Sequence, residues 1–284
     1  MGNEGSPRLI ISQRDYYEFM RYDSAELKRR YATYADHFTP GGLVVDIGCG
    51  RGEFIELLRQ RNIEALGVDA DDDMIAVARG KGLNATVADG MVYLLSHPGE
   101  FHGVFMAHLI EHIPSAQVPE LIRAAAAALR PSGRLMVVTP NPRNLQMHLH
   151  EFWIDLQHVR FYVPDTIRWL FQSAGLDEIN DGVNPEYVTG PAIPSHEPVD
   201  LEALQRMPRR VPQRHRLRGT LRQRLAEWLT AESTLQRLDH AEVAVNYLAT
   251  ELRKSDATVQ LLGQLLRGYY PPGEFFVTGV APAV

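Results

Sequence analysis

From residue 43 to about 180, short apolar runs alternate with longer segments whose apolar residues recur at helical spacing. LVVDIG (43–48), ALGVDA (65–70), NATVAD (84–89), GVFMAH (103–108) and RLMVVTP (134–140) predict strands. EFIELLRQR, DMIAVARGKG and PELIRAAAAALRPSG predict the helices between them, the last closing on Pro131 and Gly133. A further helix, PDTIRWLFQSAGL, carries Asp165 near its start and Gly175 past its end, and a polar, Gly/Pro-marked segment then runs to about residue 198. Strands alternating with helices imply right-handed βαβ units, hence an α/β fold with a parallel sheet covered on both faces. GEFFVTGVAP near the end of the chain predicts a late strand that returns to this sheet.

Residues 199–268 have another character. Eight arginines fall between Arg206 and Arg224, and Leu238, Ala241, Val245, Leu248, Leu252, Ser255, Val259, Leu262 and Leu266 follow at alternating spacings of three and four. That is a heptad seam, which predicts a long helix packed on its own domain or pairing two copies into a homodimer through residues 235–266. The expected organisation is an N-terminal helical segment (1–40), an α/β core (41–198), a helical insertion (199–268) and a final core strand (269–284). The arginine run reads as a solvated face or as a contact for phosphate, anionic glycan or membrane surface.

Composition narrows the function classes. A net charge of −6 argues against a general nucleic-acid binder. The single cysteine, Cys49, excludes an internal disulfide and suits a reducing compartment. No apolar run reaches transmembrane length, and residues 1–20 lack a signal-peptide layout, so a cytoplasmic protein is expected.

The most specific local signal is VVDIGCGRGEF. Apolar residues lead to Asp46, and Gly48, Gly50 and Gly52 then alternate in a strand-to-helix turn. Glycines there take positive φ and let the backbone pass close to a ligand. The spacing D-x-G-x-G-x-G departs from the dinucleotide fingerprint G-x-G-x-x-G. Asp69 ends the second predicted strand, where a carboxylate can accept both hydroxyls of a ribose. Asp89 ends the third, followed by Gly90 and Met91, where an adenine amino group can be read. Either acid alone reads by default as a turn or N-cap residue. Together with the glycine loop, they describe one nucleotide-binding crevice.

These residues resemble the class I S-adenosylmethionine-dependent methyltransferases over roughly residues 30–180. The resemblance implies a Rossmann-like, doubly wound, seven-stranded sheet, mostly parallel, whose last strand is antiparallel. It implies S-adenosylmethionine as cofactor, with Asp46, Gly48 and Gly50 at the methionine part, Asp69 at the ribose, and Asp89 and Met91 at the adenine. HLIEHIP (108–114), TPNPRN, FWIDLQHVRFYVPDTIRWLFQSAGL and LLRGYYPPGEFFVTG are further similar to methyltransferases encoded with bacterial polysaccharide enzymes. That similarity implies a sugar or glycan hydroxyl as acceptor.

Methyl transfer to a sugar hydroxyl needs the proton removed during attack, by a base or through a cation. HLIEHIP follows the fourth predicted strand, and a helix starting there would set His108, Glu111 and His112 on one face. In the ubiquinone-pathway O-methyltransferases the same place holds E-x-x-E-H. Small-RNA 2′-O-methyltransferases have a similar pattern with a later histidine and hold a divalent ion. By that resemblance Glu111, His112 and His158 match and His108 departs from the pattern, so His108, Glu111, His112 and His158 are the candidate ligands for Mg²⁺ or another divalent metal. The metal-free reading makes His112 or His158 the base, with Glu111 or Asp155 orienting the ring. A third reading leaves Glu111 and His112 as capping residues. Asn141 and Arg143 are weaker acceptor contacts, and His148 and His150 read as surface residues.

The leading expectation is therefore a sugar O-methyltransferase. RNA ribose methylation, natural-product tailoring and a non-catalytic scaffold that keeps the fold are the alternatives.

Overall fold

The structure, a computed structural model, describes residues 23–188 and 268–283. The expected helical insertion, its heptad seam, the dimer through it and the arginine run lie outside the described residues.

The described chain divides into two compact units, and the sheet lies wholly in the first, made of residues up to 142, 156–187 and from 272 on. Its elements are α1 (Ser24–Ala35), β1 (Val44–Ile47), α2 (Glu53–Gln60), β2 (Ala65–Asp69), α3 (Asp72–Gly80), β3 (Ala85–Val87), α4 (Gly90–Leu95), β4 (Phe101–Ala107), α5 (Val118–Ala128), β5 (Leu129–Pro140), α6 (Pro164–Ser173), β6 (Asp177–Val183) and β7 (Glu274–Val280). The strands form one seven-stranded sheet in the order β3-β2-β1-β4-β5-β7-β6. β1 to β5 run parallel, and β7 runs antiparallel to both β5 and β6. The seven-stranded sheet with an antiparallel last strand is thus present as expected.

Strand residues alternate between two cores because successive side chains point to opposite faces. Val45, Ile47, Val104, Met106, Leu135, Val137, Phe275 and Val277 pack with α5 and α6. Val44, Phe105, Met136 and Val138 pack on the other face with Tyr34, Phe38, Phe54 and Leu58 of the α1 and α2 region. Phe54 stacks on Phe105 with centroids 3.7 Å apart.

Three local readings change. The helix expected to reach Gly133 ends at Ala128, and β5 begins at Leu129, where it already pairs with Phe101. Strand β6 was not expected: DEINDGV is exposed or half-buried throughout, so it has no apolar run to announce it. Helix α4, six residues long, is too short to display a helical period, yet Asp89 caps it by accepting from Val92 N at 2.9 Å.

Gly67 in β2 marks a close approach. A β-carbon there would lie 2.3 Å from Ile55 Cδ1 and 2.6 Å from Cys49 Sγ. Gly67→Ala is expected to lose about 1–3 kcal/mol by overpacking, seen as a lowered urea midpoint with unchanged m. Cys49 is thereby placed as a buried packing residue, and burial pushes its thiol pKa far up.

The second unit holds residues 143–155 and 188–271. In its described part, a π-helical turn (Met147–Glu151) runs into one helical turn (Phe152–Ile154). Asn144 opens it by accepting from Met147 N at 2.9 Å. His148 and His150 are exposed on this turn, matching their reading as surface residues.

Candidate active site

The turn after β1 carries Gly48, Gly50 and Gly52 at φ of 77°, 50° and 81°. Only glycine takes these values without strain, which explains the alternation in the sequence. Asp69, the last residue of β2, accepts from Gly50 N at 2.8 Å and from Asp71 N at 2.9 Å. It therefore fixes the glycine loop while each carboxylate oxygen keeps a lone pair for a ligand hydroxyl. Asp46 is buried within β1. Burial raises its pKa well above the usual carboxylate range, and the nearby charges of Asp69 and Glu53 push the same way. A cationic group of a ligand placed beside it would favour its ionised form. Asp89 is exposed and Met91 half-buried at the start of α4, past the end of β3. Asp46, Asp69 and Asp89 thus lie at or near the carboxyl ends of neighbouring parallel strands, where ligands bind in open α/β sheets.

β4 is the other neighbour of β1, and its exit loop packs on the glycine turn: a β-carbon on Gly48 would lie 3.3 Å from Leu109 Cδ1. This exit loop is HLIEHIP. It forms a tight 3₁₀ turn (Ile110–His112) rather than the α-helix expected, and His108 precedes it in the left-handed region at φ 52°. His108, Glu111 and His112 therefore do not share one helical face.

What comes together instead is Glu111, His112 and His158, whose ligand atoms all lie within 4.8 Å of one another. The rings of His112 and His158 are 4.6 Å apart by centroid. His158 is brought in by the chain after the helical turn: Val159 N donates to the Glu111 carbonyl at 2.7 Å, tying the two segments together. Glu111 is fully buried, with Thr139 Oγ1 donating to Oε2 at 3.1 Å and His108 Nδ1 lying 3.2 Å from Oε1.

His108 is not part of the cluster. Its Nδ1 serves Glu111, and its Nε2 lies 2.8 Å from Glu274 Oε2. Burial alone would lower the His108 pKa, but the hydrogen bonds to Glu111 and Glu274 outweigh it and raise it to about 9. Each ring nitrogen thus faces a carboxylate oxygen, and the Arg30 guanidinium also lies 3.2 Å from Nε2. Of the four expected ligands, Glu111, His112 and His158 are the three whose ligand atoms come within 4.8 Å of one another. Asp155 lies in the second unit, buried, at the end of the helical turn. Asn141 is held by the chain before β7, its Nδ2 donating to the Pro272 carbonyl at 2.8 Å.

Sequence reasoning missed Glu274, Arg30, Tyr34, Asn184 and Thr139. Glu274 is completely buried and accepts from Arg30 Nη2, Tyr34 Oη (2.6 Å), Asn184 Nδ2 (2.6 Å) and His108. Burial works to raise its pKa, but the Arg30 guanidinium and the His108 hydrogen bond hold it well below the carboxylate range. The one signal in the sequence is an acid opening an otherwise apolar strand, GEFFV.

The donors suit a divalent cation. Bonds of about 2.0–2.2 Å place two ligands of one ion within about 4.4 Å, close to the spacing present. Two imidazoles with one carboxylate favour Zn²⁺, Mn²⁺, Fe²⁺ or Co²⁺ over Mg²⁺. Glu111 is anchored by Thr139 and His108, as ligating carboxylates usually are. The Tyr162 hydroxyl is buried with no hydrogen-bond partner among the described residues. Burial raises its pKa, with Arg160 opposing and the charge of Glu111 adding to the rise. A buried hydroxyl within reach of the Glu111 charge calls for a water or bound group beside it.

A seven-stranded sheet of this order, with a glycine turn after β1 and a ribose-type acid after β2, defines an α/β enzyme fold built for a nucleoside cofactor. A family model described as a methyltransferase domain matches residues 16–180, and the chain belongs to that family. Its fold is that of the class I S-adenosylmethionine-dependent methyltransferases. A methyltransferase of Archaeoglobus fulgidus described as SAM-dependent superposes with a TM-score of 0.63 at 21% identity, covering 93% of this chain and 97% of its own. Curated relatives named ubiquinone biosynthesis O-methyltransferase come from Azoarcus sp. (26% identical over 49% of this chain and 66% of the relative) and Idiomarina loihiensis (28%, 49% and 63%). The match spans less than two thirds of these relatives' length. They carry a ubiquinone name where the sequence had suggested glycan enzymes.

Among the described residues, no helix is long and apolar enough to cross a membrane.

Proposed function

We propose that this protein is an S-adenosylmethionine-dependent O-methyltransferase acting on a sugar hydroxyl. The observation that carries the reading is the convergence of Glu111, His112 and His158 at the exit of β4, beside the glycine turn. The names of the curated relatives support an oxygen acceptor. Similarity to methyltransferases of polysaccharide gene sets supports the sugar. Asp69 holds the ribose, Asp46 faces the cationic methionine part, and Asp89 with Met91 borders the adenine.

Transfer from a sulfonium is an in-line displacement, so the acceptor oxygen must sit against the methyl carbon. His112 and His158 hold that oxygen at the cluster and take its proton, while Glu111 supplies the negative charge that favours proton uptake by an imidazole. A divalent ion held by Glu111, His112 and His158 would supply Lewis acidity that makes the hydroxyl more acidic. A phenolic hydroxyl of a quinone precursor is the second reading, favoured by the relatives' names. Phenols ionise near pH 10, so such an acceptor depends less on the cluster.

The deciding measurement is transfer of label from S-adenosylmethionine to glycans, glycosides and prenylated catechols, with and without divalent ions. Labelled glycan is the expected product. Labelled catechol alone overturns the sugar reading, and no transfer to any hydroxyl overturns the O-methyltransferase reading.

Separately, Asp69→Ala is expected to weaken S-adenosylmethionine binding about tenfold to a hundredfold, from loss of charged hydrogen bonds. Calorimetry on the free enzyme checks it, and unchanged affinity would remove Asp69 from the cofactor site.

A further inference from the structure

We propose that Glu274, which opens β7, is a positioning residue for the Glu111–His112–His158 cluster and acts on it through His108. The inference rests on the O-methyltransferase reading above and adds to it the group that sets where Glu111 stands.

Glu274 lies 166 positions along the chain from His108, yet the sheet order brings the start of β7 alongside the end of β5 and near the exit of β4. Four donors converge on its carboxylate. Tyr34 and Asn184 donate to Oε1, while Arg30 and His108 donate to Oε2. A carboxylate offers about four lone-pair sites, so Glu274 is saturated and has no other position to adopt. It is anchored further by backbone pairing, since Glu274 is in register with Pro140. Arg30 is itself clamped, its guanidinium 3.6 Å over the Tyr187 ring and its carbonyl accepting from Asn184 Nδ2 at 3.0 Å.

The fixed carboxylate determines the imidazole. His108 spans the gap between two buried carboxylates, with Glu274 at 2.8 Å on one nitrogen and Glu111 at 3.2 Å on the other. Its backbone sits at φ 52°, a conformation disfavoured for a residue with a β-carbon and kept only where the surroundings enforce it. Glu274 is one of the contacts around it, with Glu111 on the other ring nitrogen and the Val138 carbonyl accepting from the His108 N–H at 3.0 Å. Glu111, held by His108 on Oε1 and by Thr139 on Oε2, is left with one free direction per oxygen. A carboxylate fixed in this way presents a set geometry to whatever His112 and His158 hold. The His108 ring is thus a strut between Glu274 and Glu111.

The test uses the full-length protein with Glu274→Gln, which keeps the size of the side chain but turns an NH₂ toward the Arg30 and His108 donors. Turnover is expected to fall roughly tenfold to a hundredfold, as for a misplaced catalytic group, while the cofactor Kd stays within about twofold because the glycine turn is untouched. His108→Gln is expected to do the same. The Glu274→Gln/Glu111→Gln double variant is expected to be no slower than Glu111→Gln alone. In ¹⁵N-histidine NMR, the His112 and His158 ring signals are expected to move in Glu274→Gln. Losses that multiply in the double variant, or a turnover loss that only tracks the folded fraction, overturn the proposal. Should the wild-type chain transfer no methyl group to any hydroxyl, the O-methyltransferase reading falls and the NMR experiment decides alone. Moved signals then sustain the strut, and unmoved signals overturn it.

Discussion

Removing the imidazole of His158 is expected to lower kcat by about 10²–10⁴-fold, the range for loss of a general acid–base group, while S-adenosylmethionine affinity changes by no more than a few fold. His112→Ala is expected to behave alike. The two rings lie 4.6 Å apart and share the space over Glu111, whereas the cofactor turn is built from β1 and β2 residues that neither substitution touches. The split between turnover and cofactor binding follows from that separation. If either variant keeps near wild-type kcat, its ring takes no part in the chemistry.

The same pair of variants separates proton transfer to an imidazole from help by a cation. If a divalent ion is held by Glu111, His112 and His158, chelation silences the wild type, and one added metal restores it. Each histidine variant then needs far more metal for the same rate. If an imidazole works alone, chelation does nothing and the alanine variants stay slow at any metal concentration. Glu111→Gln sharpens the contrast. It removes a charged ligand in the first case and only the electrostatic support of the base in the second, so its loss is expected to be larger when an ion takes part.

How much of this was legible beforehand depends on the range over which each feature is encoded. β1, β2, β4 and α6 announce themselves because their apolar residues repeat at the periods of a strand or helix within one short window. The glycine turn with Asp69 is equally local, since strand, turn and helix follow one another in the chain and the acid stands where the next strand ends. β6 escaped because it lies at the sheet edge, exposed or half-buried along its length. Its pairing partner among the described residues, β7, begins about ninety residues later. HLIEHIP was legible as a cluster of chemistry but not as a shape. The reading assumed a helix, whereas His108 takes a left-handed backbone to meet Glu274, a partner 166 positions away that no period or spacing reveals. His158 was reachable only through resemblance, because what ties it to Glu111 is a backbone hydrogen bond from Val159 formed after the chain has folded.

Arg30→Met is expected to destabilise the fold by about 3–5 kcal/mol at neutral pH, the cost of leaving a buried charge without its main counter-ion, and to change how stability depends on pH. In the wild type, the depressed pKa of Glu274 contributes stability that is present above the ordinary carboxylate pKa and is lost as the pH falls toward its folded value. The raised pKa of His108 acts in the opposite direction. Its contribution is complete below about pH 6.5, the ordinary histidine value, and is lost as the pH rises through about 9. At about 1.4 kcal/mol per unit, that alkaline limb amounts to at most about 3.5 kcal/mol. The combined contribution of Glu274 and His108 is therefore greatest between roughly pH 5 and 6.5 and declines on both sides. In Arg30→Met, burial is no longer opposed by the guanidinium, so Glu274 ionises less readily in the folded state. The acid limb should flatten, because protonating Glu274 now relieves an unbalanced charge. The alkaline limb should persist, because His108 still bridges Glu274 and Glu111. Urea denaturation across pH 4–10 reads both limbs, and an acid limb as steep in the variant as in the wild type would show that Arg30 is not the group that keeps Glu274 charged.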